Sequence, residues 1–96
     1  MGMKDLEGAY NTFNSNAGEA LKQLQPTLLK LADTSKAKGK PELAKILNDV
    51  YKDNAKLLSD TKSKGVDYGE LGTRFMVSYL IAVTCAGFAN GLFPSP

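Results

Sequence analysis

Ninety-six residues with 12 Lys and Arg, 10 Asp and Glu and no His carry a formal net charge of +2. That length makes one domain at most, and so small a charge excludes a nucleic-acid reading built on a basic surface. One Cys and no His exclude an intramolecular disulfide and the usual zinc ligand sets, so no metal or cofactor is expected. The apolar residues, 43% of the chain, are unevenly spread: no charge occurs from Phe75 to Pro96.

The N-terminal stretch has no apolar core of the kind a secretory signal needs, and Asp5, Glu7 and Glu19 are acids where mitochondrial presequences avoid them. Met1-Gly2 opens like a myristoylation motif, but Leu6 stands where Ser or Thr is required. Leu6, Tyr10, Phe13, Ala17, Leu21 and Leu24 recur at three- and four-residue steps. This spacing predicts one stripe of a first amphipathic helix. Asn11, Asn14, Ser15, Asn16 and Gly18 are weak helix formers, so the helix needs a packing partner. Pro26 is expected to interrupt it, with "PTLLKLAD" resuming behind a first-turn proline.

"TSKAKGK" reads as a loop centred on Gly39, in which Lys36, Lys38 and Lys40 form a solvated basic run. Pro41 opens the next helix. There Leu43, Leu47 and Val50 share a face with Asn54, Leu57 and Leu58, while Lys45, Asp49, Lys52, Asp53 and Lys56 fall largely opposite. Lys62 and Lys64 suit its C-terminal dipole and Gly65 a left-handed cap. "DYGE" then resembles a capping box, Asp67 accepting from the amide of Glu70 and Glu70 reaching back. The last helix is expected from near Tyr68 to about Phe93, where Pro94 and Pro96 stop it.

The pattern is all-α: two to three amphipathic helices over residues 1–66, then a C-terminal transmembrane helix in 67–96. The stretch Phe75–Phe93, about 19 residues, would be roughly 28 Å long as a helix, close to the hydrocarbon thickness of a bilayer. Its mean hydropathy of about +1.7 is in the spanning range, and it is apolar or small on every face. Lys62, Lys64 and Arg74 precede it and no charge follows. The positive-inside rule then keeps residues 1–66 on the cytoplasmic or matrix side. Within the segment Gly87 and Gly91 form a GxxxG pair, with Thr84 extending the same face and Val83 flanking it. Such a face lets a second helix backbone approach closely.

This arrangement resembles the subunit g family of the mitochondrial F-type ATP synthase. It shares a single C-terminal spanning helix, a late GxxxG motif, and an acid before the helix, here Glu70, at nearly the family distance from the glycines. The resemblance implies packing of Gly87 and Gly91 against a neighbouring transmembrane subunit, subunit e, in the dimer-forming region of that complex. It also implies a mitochondrial inner membrane location with the N-terminal region in the matrix.

The expected function is therefore a non-catalytic, single-span accessory subunit of a membrane complex. Its partners would be other transmembrane subunits and the lipid bilayer, with no small-molecule substrate. The alternative is a soluble, all-helical interaction or immunity-type protein that buries its C-terminal helix in an oligomer. No nucleophile–base pair and no phosphate-binding loop argues for an enzyme.

Overall fold

In a computed structural model, residues 3–93 are described and form four helices: α1 (Met3–Phe13), α2 (Ala17–Ala37), α3 (Pro41–Lys64) and α4 (Tyr68–Ala89). Met1, Gly2 and the closing prolines, Pro94 and Pro96, lie outside the described residues. The architecture is all-α, and three amphipathic helices precede the apolar one.

The first helical stripe spans two helices, not one. The break falls at Asn14–Asn16, where the amides of Ser15 and Asn16 both donate to the Thr12 carbonyl. Asn16 is extended (φ −156°), and its side chain accepts from the amide of Glu19 at 3.0 Å. This N-cap satisfies one of the orphan donors of the new helix and fixes its start. Pro26 sits inside α2 and does not end it, correcting the expected interruption. An interior proline costs about 3 kcal/mol, and burial on both sides of it offsets that cost. Leu21, Leu24, Leu28 and Leu31 recur at steps of three and four residues on one face of α2 and are all at or below 2% exposure.

α2 is the central element. It packs on α1, α3 and α4, while α1 and α3 make no direct approach. Gly18 lies beside Leu71 at one end, and Lys38 reaches Asn90 at the other. Thus α2 and α4 run parallel, with α3 antiparallel to both. The bundle measures 40 × 23 × 19 Å.

The turns flanking α3 match their sequence signals in part: α2 runs on through Ala37, so the loop expected over Thr34–Lys40 shortens to Lys38–Lys40. Gly39 has φ +75°, and Lys40 donates to the Ser35 carbonyl at 2.9 Å, which closes α2 with a Schellman motif. Pro41 is in the first turn of α3, as expected. Gly65 ends α3 with φ +94° and ψ 173°, a glycine conformation but an extended one, not the left-handed cap expected. Asp67 caps α4 by accepting from the Glu70 amide at 3.1 Å. The boundary at 66/67 is therefore a real turn. It does not divide two independent parts, because α4 shares its core with α1, α2 and α3.

Candidate interaction surface

α4 has two unlike faces. Leu71, Phe75, Ser78, Ala82, Cys85, Ala86 and Ala89 are buried, at spacings that keep them on one side of a helix. Most of these side chains are small, and the face they form packs chiefly on α2. Phe75 is fully buried and stacks on Phe13 of α1, ring centroids 4.5 Å apart and planes 13° from parallel. Tyr79 meets Tyr10 at 5.2 Å, which extends the aromatic clasp between α1 and α4.

A polar contact is buried where α3 meets α4. Asn54 of α3 and Ser78 of α4 are both 0% exposed. The Asn54 Nδ2 donates to Ser78 Oγ at 3.0 Å, and Ser78 Oγ donates to Asn54 Oδ1 at 3.2 Å. Gln25 of α2 adds a bond from Nε2 to the Tyr51 carbonyl at 3.0 Å. Directional bonds between buried groups specify one helix register, which apolar packing alone does less well.

The opposite face of α4 is apolar and uncovered. Val77 is 43% and Leu80 58% exposed, and Thr84 is exposed with its hydroxyl turned back to the Leu80 carbonyl at 2.8 Å. Ile81, Val83 and Phe88 are half-buried at its edges. The most apolar 18-residue stretch of α4 is only 39% buried. Among the described residues α4 is the one helix long and apolar enough to cross a membrane. It combines that property with membership of a helical bundle.

The packing role expected of Gly87 and Gly91 is not what the geometry provides. α4 ends at Ala89, short of the expected Phe93, and Asn90 is its C-cap. Gly91 has φ +74° and follows that cap, so it is not on the helix face. The Leu92 amide donates to the Gly87 carbonyl at 2.8 Å and the Gly91 amide to Phe88 at 3.3 Å, a Schellman motif. Gly91 is thus a helix-stop residue, needed because its conformation is strained with a Cβ present. Gly87 is buried, and a Cβ there would overlap the Phe93 ring that folds back over it. Thr84 is exposed while Val83 is half-buried, so the four residues do not form one face.

The turn also leaves Leu92 68% and Phe93 43% exposed, beside the basic loop between α2 and α3. Lys38 Nζ lies 3.4 Å from Asn90 Oδ1 and joins the two segments. Asp67 and Glu70 are at the far end of α4, where Asp53, Lys56, Asp60, Glu70 and Arg74 line a surface depression of about 340 Å³. Its acids alternate with bases, and among the described residues no three metal-ligating side chains gather anywhere.

Comparison with known protein families, with curated proteins and with solved structures finds no match for this chain.

Proposed function

We propose that the protein is a soluble, non-catalytic interaction module of the immunity type, acting by binding another protein through the outer face of α4. The observation that carries this reading is the buried Asn54–Ser78 pair within a core shared by all four helices. A bundle assembled this way cannot enter a bilayer whole. Glu19, Lys22, Lys30 and Asp33 on α2, and Lys45, Asp49, Lys52 and Asp53 on α3, are exposed alongside α4. Each Lys or Asp would cost about 2.5–3.5 kcal/mol at the bilayer centre. Spanning therefore requires α4 to leave the bundle. That step strips α1, α2 and α3 of a helix that packs on all of them, and so exposes part of a core that includes Leu6, Leu21, Leu24 and Leu28. In exchange, the exposed Val77 and Leu80 and the half-buried Ile81, Val83 and Phe88 would pass into hydrocarbon. With α4 kept in the bundle, its apolar outer face is what a partner would cover.

A second reading is supported by the length and apolar outer face of α4. It is a single-span accessory subunit with its N-terminal region on the cytoplasmic or matrix side, in its narrowest form at the dimer region of the mitochondrial ATP synthase. Since Gly91 stops the helix, such a subunit would pack through Val77, Leu80 and Thr84 and not through a GxxxG face.

Alkaline carbonate extraction of expressing cells separates the two. The first reading expects the protein in the supernatant, monodisperse without detergent. Retention in the membrane pellet with a detergent requirement would replace it with the second.

A further inference from the structure

We infer that the outer face of α4 is covered by a second copy of this chain, the two α4 helices packing antiparallel about a two-fold axis at Thr73. This rests on the soluble reading above and names the partner of that face. A two-fold interface needs a patch that is complementary to itself when reversed. The N-terminal half of α4 has one. Gly69, Thr73 and Val77 follow each other at four-residue steps and are all exposed. With Glu70 and Arg74 they line a shallow depression of about 340 Å³. Gly69 leaves that depression without a side chain at one end. When the patch is reversed about Thr73, Val77 of each copy falls on Gly69 of the other and fills the gap. Seven residues to either side of Thr73, Leu80 of each copy falls on Val66 of the other. These two are 58% and 51% exposed in the single chain.

Charge selects the antiparallel arrangement. Glu70 and Arg74 stand one turn apart on one flank of this face, and among the described residues Arg74 forms no ion pair. The two-fold axis brings that flank against the same flank of the second copy. Glu70 of one copy then lies about 3 Å along the helix axis from Arg74 of the other, at 1.5 Å per residue. Across packed helices about 8–10 Å apart, both long side chains reach, giving two reciprocal ion pairs. A parallel pair would set Glu70 on Glu70 and Arg74 on Arg74, which is repulsive. The surroundings are balanced: Asp53, Asp60 and Asp67 are matched by Lys56, Lys62 and Lys64. The C-termini of α1 and α3 are likewise met there by the N-termini of α2 and α4, so helix dipoles add no net charge. One helix face of this length buries on the order of 1,000 Å² over both copies, the low end for a specific complex, so the dimer is a reversible one.

The test is sedimentation velocity of the purified full chain, 10.3 kDa as a monomer, in detergent-free buffer. Over a range of about 5 to 500 µM, the pairing predicts a rise to twice that mass. Arg74→Glu gathers four carboxylates at the interface and Glu70→Arg four guanidinium groups, so each should weaken the dimer roughly ten-fold or more. Mixing the two variants should restore it, because both ion pairs are complete in the mixed dimer. Circular dichroism unchanged in each variant establishes that the bundle is intact, and rescue by mixing is a result that a merely structural role would not give. A folded chain that stays monomeric throughout, or a dimer indifferent to both reversals, overturns the pairing and leaves the soluble reading standing. So does a dimer that both reversals break and mixing fails to restore. A chain dispersed only by detergent overturns both, because α4 has then left the bundle.

Discussion

The Asn54–Ser78 pair allows the place of α4 in the bundle to be measured in solution. Asn54→Ala removes both bonds between α3 and α4 and leaves a small void at a position with no solvent access. The remaining Ser78 hydroxyl can turn to a carbonyl in its own helix, so the loss falls below that of a fully stranded group. A cost of about 2–3 kcal/mol is expected. Ser78→Ala leaves the Asn54 amide buried with an unmet bond and should cost about 1–2 kcal/mol. If the two side chains touch, the double variant loses less than the single losses combined, with a coupling of about 1–2 kcal/mol. Urea denaturation in detergent-free buffer is the assay. With a slope of about 1 kcal/mol per molar for a chain this small, each variant shifts the midpoint by about a molar or more. Coupling below about 0.3 kcal/mol, the level at which distant sites add, would refute the contact and with it the packing of α4 on α3.

Two further outcomes follow from the same geometry. Gly91→Ala places a Cβ at φ +74° and should cost about 1 kcal/mol in urea denaturation. An unchanged midpoint would mean that α4 runs on through residue 91. Leu80→Lys, at a position 58% exposed, should leave stability within about 0.5 kcal/mol while abolishing capture of the partner on α4. A large loss of stability would show that Leu80 is already covered.

Much of this fold is legible in the sequence wherever a residue has one local role. Gly39, Pro41 and Asp67 act on backbone within a few residues of themselves, so the α2–α3 turn and the start of α4 match their signals. The core face of α3 is readable in the sequence: Leu47, Val50 and Asn54 are buried and Leu43, Leu57 and Leu58 half-buried, with Ala44 buried beside them. Other features depend on what lies across the bundle. Pro26 is a helix breaker by propensity, yet the flanking leucines hold α2 continuous through it, and Asn16 makes the actual break. Gly91 carries the same letter in a packing motif and in a helix stop. Only the backbone course after Asn90 separates the two.

The status of α4 is the feature least legible in the sequence. An all-apolar helix in a short chain suggests a bilayer, because few neighbours exist to cover it. The bundle answers differently, by burying the small-residue face and leaving Val77 and Leu80 open. Hydropathy averages over both faces and cannot see that division. Ser78 lies on the buried face, where its hydroxyl pairs with Asn54 in the core.

The most direct test of the account is the proximity of the Phe13 and Phe75 rings in detergent-free solution. With centroids 4.5 Å apart, the folded protein should give a strong nuclear Overhauser effect between these rings in water. Its absence, with Phe75 instead showing cross-peaks to the acyl chains of a detergent needed to keep the protein dispersed, would contradict a soluble bundle that contains α4.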